Sequence, residues 1–275
     1  MLGKKNDRVW IYAALLAGSF FFFMPFWWML ISSLKTNEQI FTVPPDWFPR
    51  PIHWQNYLDA VTFIPFLRYL WNTLIISVGN TVGNVLSASL VAYSFSRNPW
   101  RGRDVCFYLM LGTMLLPPQV TMIPVFVIFR TMRLIDTFAP LIIPAFLGTP
   151  FFIFLLRQFF RGIPEALSEA ARIDGCSEWQ IYARIIMPLS ISGLVTVVVF
   201  SFLWSWVDYL NPLIYLQTPE KFTLSLGLQQ FQSSHALEWG MLMAAGTLMV
   251  LPVVLLFFLA QKAFIRGIIT GGLKD

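Results

Sequence analysis

From Val9 to Ile31 the chain runs for 23 residues without a charged side chain, and no other stretch restricts its fold as much. About 20 apolar residues in helical form cross roughly 30 Å of hydrocarbon. Inside hydrocarbon every backbone N–H and C=O must find its partner within the protein, so a run of this length has to be helical. The run ends in Phe26-Trp27-Trp28 rather than in the small residues of a cleavage site, and it is too long for a secretory leader. It therefore reads as an uncleaved span. Five further apolar runs follow, over residues 70–94, 105–129, 138–156, 191–216 and 241–260. The predicted fold class is all-α integral membrane: six transmembrane helices over residues 9–260, after a short N-terminus (1–8) and before a tail (261–275). Charged residues make up only 12% of the chain, about half the usual roughly 25% of soluble domains.

The segments between the runs are unequal. Ser33 to Arg68 is polar and broken by Pro44, Pro45, Pro49 and Pro51, too interrupted for a long helix. The second run carries Thr73, Ser77, Asn80, Asn84 and Ser87 at near-helical spacing, with Gly79 and Gly83 as a G-x-x-x-G that suits close helix packing. The third contains Pro117-Pro118 and Pro124, which predict a kinked span. The fifth run ends in Trp204-Ser205-Trp206-Val207-Asp208-Tyr209. Its carboxylate is costly within a span unless paired or wetted. Residues 217–240, with His235, form a second long loop. Cys106 and Cys176 are too far apart to make a metal or redox motif.

Six spans put both termini on one side of the membrane. Of the 19 Lys and Arg residues, thirteen fall on the side of the termini, among them Lys4, Arg8, Arg97, Arg157, Arg172 and Arg184, and six fall opposite. The positive-inside rule makes the first side cytoplasmic.

One cytoplasmic stretch is both polar and helical: Glu165 to Leu189, within the loop 161–189. Pro164 suits a first helical position, and Glu165 and Glu169 sit where the helix dipole favours negative charge. Arg172 is three residues from Glu169, within pairing reach. Gly175 reads as a helix-ending residue at positive φ. Ser177 and Gln180 then form a capping box for a second helix that runs to Pro188. The product is a helix-turn-helix with small alanines on its exposed elbow.

Glu169-Ala170-Ala171, Gly175, Ile186 and Pro188 resemble the signature loop of permease subunits of binding-protein-dependent ABC importers. The Pro117-Pro118-Gln119-Val120 run resembles a motif of the same family, and Ser32-Ser33-Leu34-Lys35-Thr36, Asn56-Tyr57 and the Gly-rich tail are similar to its carbohydrate branch, as in the second, six-span permease of maltose-type transporters. The fifth-run segment departs from the family's pattern, with Val207 where asparagine is common and Asn211 where an aromatic is common. The resemblance implies that the loop couples to a dimer of ATPase subunits through Glu165, Glu169, Ala170, Ala171, Asp174, Gly175 and Pro188. It also implies a second, related permease as partner and an extracytoplasmic sugar-binding protein reached by the long outer loops. The cargo would then be a sugar or oligosaccharide, with Asn80, Asn84, Trp204, Trp206, Asp208 and Tyr209 as candidates along its path. For the polar stripe, helix packing is the leading reading, and for Asp208 a structural cap or pairing is equally open.

The chain lacks a G-x-x-x-x-G-K-[ST] phosphate loop, an H-E-x-x-H and a G-x-S-x-G elbow. No cofactor and no catalytic group is expected in it. ATP and Mg²⁺ would be bound by the partner ATPases, membrane lipid would surround the spans, and nucleic acid is not an expected partner. A secondary transporter or channel for a small polar solute is the alternative. It would require ion-coupling charges at the midplane and paired broken helices, and Asp208 is the lone strong acid within a run.

Overall fold

The computed structural model describes residues 3–232 and 238–271, with side chains over 9–232 and 238–262. His235 and tail residues 272–275 lie outside the described residues. The described residues are 77% helix, with no strand among them. In order the helices are α1 (Gly3–Ser32), α2 (Asn37–Ile40), α3 (Gln55–Phe63), α4 (Phe66–Arg97), α5 (Arg103–Thr113), α6 (Pro118–Thr131), α7 (Ala139–Phe146), α8 (Pro150–Arg161), α9 (Glu165–Ile173), α10 (Glu178–Ile181), α11 (Met187–Leu189), α12 (Ile191–Trp206), α13 (Leu210–Tyr215), α14 (Leu224–Leu228) and α15 (Trp239–Gly271). Four stretches are long and apolar enough to cross a bilayer: Val9–Ser32, Phe66–Arg97, Ala139–Arg161 and Trp239–Lys262. The number reaches six when two bent helix pairs are each taken as one span.

Breaks fall inside three of the expected runs. The third run is not a kinked helix but two helices at 97°, α5 and α6. Pro117 takes φ −58°, ψ 134° because the ring of Pro118 drives the residue before it out of the helical region. In the fourth, α7 and α8 are separated at Gly148, whose φ of +95° lies in the left-handed region. The fifth run stops being helical at Trp206, ten residues short of the end of its apolarity. Pro212 has no N–H for the carbonyl of Asp208 and its ring would clash there, so the chain breaks and restarts as α13.

The described residues fall into two compact units, Met1–Leu67 with Gly227–Leu251 and Arg68–Leu226 with Pro252–Asp275. The first is tied together by a buried lysine. Lys35 is 0% exposed, its ammonium 4.7 Å from the ring centre of Trp28 and donating to the carbonyl of Asp46. Burial lowers its pKa, and the Asp46 carboxylate works against that shift. Asn56 Nδ2 donates to the carbonyls of Ser33 (3.0 Å) and Lys35 (2.7 Å), closing the segment after α1 on itself. A Cβ on Gly240 would lie 2.6 Å from that same amide, so only glycine lets α15 begin so close.

In the second unit the core is built from α4, α8 and the stretch from α9 to α12. Ala88, Ala92, Leu156, Phe160, Ile181, Ile186 and Val197 are all completely buried there. The G-x-x-x-G of α4 packs against α7: a Cβ on Gly83 would sit 2.7 Å from the ring of Phe146, and one on Gly79 3.1 Å from Ile142.

Candidate functional site

The loop between α8 and α12 is an elbow held by its own backbone. Pro164 precedes α9 by one residue, at ψ 131°, rather than occupying its first turn. Gly175 has φ +84°, and a Cβ there would meet nothing within 4 Å. The turn thus needs glycine for its backbone conformation, while its surroundings are open. Ser177 Oγ accepts from the Gln180 N–H and the Gln180 side chain accepts from the Ser177 N–H, so the capping box forms. The second helix does not continue regularly to Pro188. It passes through one π turn, Tyr182–Ile186, and Pro188 then lies in α11, just before a 78° bend into α12. Proline cannot donate to the carbonyl of Arg184, and a π turn absorbs that mismatch.

Exposure divides the expected contact residues. Glu165, Glu169, Ala170, Asp174, Gly175 and Pro188 are exposed, but Ala171 is buried in the core beneath α9. Three large apolar side chains that the charge pattern did not single out also face outward: Leu167, Ile173 (87% exposed) and Trp179 (64%). Arg172 does not turn to Glu169. Its Nε lies 2.7 Å from Glu178 Oε1, because the Tyr93 hydroxyl of α4 donates to Glu178 Oε2 (2.6 Å) and brings that carboxylate within reach.

Long-range polar contacts fasten this elbow to the spans. The hydroxyls of Ser89 and Tyr182 are 2.8 Å apart. Arg97, the last residue of α4, is 6% exposed and donates from Nη2 to the carbonyls of Phe160 and Ile163 at the end of α8. Arg157 of α8 donates in return to the Phe95 carbonyl of α4 (3.2 Å) and stacks over Phe107 at 3.9 Å. Each helix closes the other's C-terminal end, where carbonyls would otherwise lack donors.

Further along the same unit a cavity of about 530 Å³ is lined by Asn80, Asn84, Trp204 and Asp208 of the expected set. Trp206 and Tyr209 do not line it. Trp206 is 1% exposed and stacks on Phe202 with ring centres 5.2 Å apart. Residues two apart on a helix point about 200° away from each other, so Trp204 and Trp206 cannot share a face. Ser201, Trp204 and Ser205 do share one, at helical spacing, and Ser201 and Ser205 join the lining. The amides are both packing and lining groups: Asn80 Nδ2 donates to the Leu141 carbonyl (2.6 Å), and Asn84 bonds Ser201 Oγ (2.8 Å) and accepts from Thr149 Oγ1 (2.6 Å). Asp208 sits in the break after α12, accepting from the Asn211 N–H (3.2 Å) and Nδ2 (2.8 Å). It therefore ties down the first turn of α13 as well as lining the cavity.

A residue absent from the expected set holds the neighbouring turn. Asp136, at φ +60°, accepts from the N–H groups of Gln217 and Thr218 (3.0 Å each), from the Thr218 hydroxyl, and from Lys221 Nζ (2.8 Å). Burial pushes its pKa up, but Lys221, Thr218 and Gln217 together outweigh that and hold the carboxyl well below the usual range. A depressed folded-state pKa gives stability that is full above the unfolded value of about 4 and is lost as pH falls below it. Asp136→Asn is expected to cost about 2 kcal/mol at neutral pH. The thermal unfolding midpoints of wild type and variant should converge as pH is lowered below about 4. A gap that stays constant with pH would contradict the charge-based account.

Residues 83–270 match the family described as "Binding-protein-dependent transport system inner membrane component". The chain is 34% identical over 274 residues to the inner membrane ABC transporter permease protein YcjP of Escherichia coli, covering 98% of each. It is 32% identical over 263 residues to the arabinooligosaccharides transport system permease protein AraQ of Bacillus subtilis, covering 93% of this chain and 92% of that one. Its fold matches, at TM-score 0.81 and 23% identity, a chain of a bacterial ABC transporter involved in the import of the acidic polysaccharide alginate, covering 96% of this chain and 99% of that one. With an elbow of helices fastened to apolar spans, and with these similarities along nearly its whole length, the chain belongs to the family of inner membrane components of binding-protein-dependent transport systems.

Proposed function

We propose that this chain is the permease subunit of a sugar or oligosaccharide importer, driven by separate ATPase subunits through the elbow at Gly175. The observation that carries the reading is the elbow's outer surface, where Ile173 and Trp179 stand exposed among Glu165, Glu169, Ala170 and Asp174. Large apolar side chains on a charged, polar loop mark a protein contact, and burying each contributes about 1.5–3 kcal/mol to binding. Glu165 and Glu169 offer charge to a basic groove edge, Gly175 fixes the turn, and Pro188 marks where the elbow joins α12. Ala171 supports the surface from beneath. The distribution of Lys and Arg supports a cytoplasmic elbow and cytoplasmic termini in the inner membrane.

In this reading ATP and Mg²⁺ are held by the ATPase dimer. A second, related permease completes the path, and an extracytoplasmic binding protein delivers the sugar to the loops of residues 33–68 and 217–240. The relative named for arabinooligosaccharides supports a glycan cargo. Asn80, Asn84, Trp204 and Asp208 are this chain's contribution to the path. The test is co-purification of the tagged chain with its ATPase subunit from detergent. The double variant Ile173→Asp/Trp179→Ala is expected to keep its yield while losing at least ten-fold of the bound ATPase. Undiminished ATPase on that variant would overturn the docking assignment.

A further inference from the structure

We infer that the cavity beside Asp208 admits an uncharged glycan segment and excludes an anionic one. This rests on the sugar-permease reading above and specifies the charge of its cargo. Among the described residues the lining includes one carboxylate, Asp208, and no Lys, Arg or His. The donors that Asp208 receives come from neutral Asn211, and no salt bridge to it is found among the described residues. Its negative charge therefore has no counter-ion from this chain along the cavity wall. A carboxylate on a ligand within about 4 Å would bind roughly a hundred-fold or more weakly than a hydroxyl there.

The remaining polar lining suits neutral sugar hydroxyls, because amides and hydroxyls offer both donors and acceptors. Asn84 is held from both ends by Ser201 and Thr149, so its orientation is fixed before a ligand arrives. Trp204, 48% exposed, gives an apolar face, and Phe152 packs behind it. The volume of about 530 Å³ falls within the range of small-molecule sites. The likeness in fold to an importer of an acidic polysaccharide does not carry that cargo over, since cargo is chosen by the site and not by the fold.

The experiment has two arms. In the first, Thr121→Cys, on the cavity lining, is placed in a Cys106→Ser/Cys176→Ser background of the assembled transporter. Its rates of modification by cationic and anionic methanethiosulfonates are compared, each normalised to a free thiol. The cationic reagent is expected to react at least ten-fold faster. Asp208→Asn, which keeps an acceptor for Asn211, should bring the ratio near one, and raised salt should shrink it. A ratio near one in the parent would overturn the inference.

In the second arm, proteoliposomes holding the complete transporter take up a neutral gluco-oligosaccharide and its glucuronate-containing counterpart. The binding protein is the same throughout, so its selectivity cancels when variants are compared. Asp208→Asn should raise glucuronate uptake relative to neutral uptake at least ten-fold, and an unchanged ratio would overturn the inference. No uptake of either sugar, with the charge preference intact in the first arm, would overturn the sugar reading instead.

Discussion

Gly175→Trp is expected to leave the yield and membrane insertion of the chain unchanged and to lower binding-protein-stimulated ATP hydrolysis and uptake by more than ten-fold. Two effects combine. At φ +84° any residue with a Cβ is strained by about 1 kcal/mol. The indole would also project into the open space around the elbow, where no atom of this chain lies within 4 Å of a Cβ. That space is where a partner would seat. Gly175→Asn separates the two effects, because asparagine tolerates the left-handed region and is much smaller. It should retain most of the coupling. Normal uptake by the tryptophan variant would remove the elbow from the coupling route, whereas loss in both variants would place the requirement in the turn itself.

Arg97→Ala is expected to destabilise the chain by about 3 kcal/mol, since hydrogen bonds from a charged donor contribute about 1.5–3 kcal/mol each. It strips the donor from the Phe160 and Ile163 carbonyls. The ends of α4 and α8 then separate, so the loss should appear both as a lower thermal midpoint in detergent and as faster proteolysis within residues 161–189. Arg97→Lys restores the charge but not the forked geometry that reaches two carbonyls, and is expected to recover less than half of the loss. An alanine variant as stable as wild type would show that lipid or water replaces the guanidinium.

The apolar runs pointed to α1, α4 and α15, because a membrane span is a matter of composition and length, but not to their full extent: α15 continues to Gly271, past the run that ends at residue 260. The elbow was legible for a local reason: Gly175, Ser177 and Gln180 act on their own neighbours. Breaks were harder to place. The apolar run to Leu216 conceals the consequence of Pro212, whose missing N–H acts four residues earlier at Asp208. The aromatic cluster around Asp208 misled for want of helical phase, since counting from Ser201 separates Trp204 from Trp206 and adds Ser205. Asp136, Arg97 and Arg157 left no local trace at all. Their hydrogen-bond partners are more than 60 residues away, and nothing in a window around any of them indicates which carbonyl or ammonium it will meet.

The 78° bend before Ile191 also has a mechanical meaning. From Ile191 to Ser201 is ten residues, about 15 Å of helix, with no glycine hinge free to yield: a Cβ on Gly193 would already sit 2.6 Å from the ring of Phe159. A rod of that stiffness joined at an angle to the elbow works as a crank. A sideways push at Gly175 turns the far end of α12, and that end carries Ser201, Trp204 and Ser205. In the proposed importer, the wall that lines the cavity and the arm that meets the ATPase would then move together.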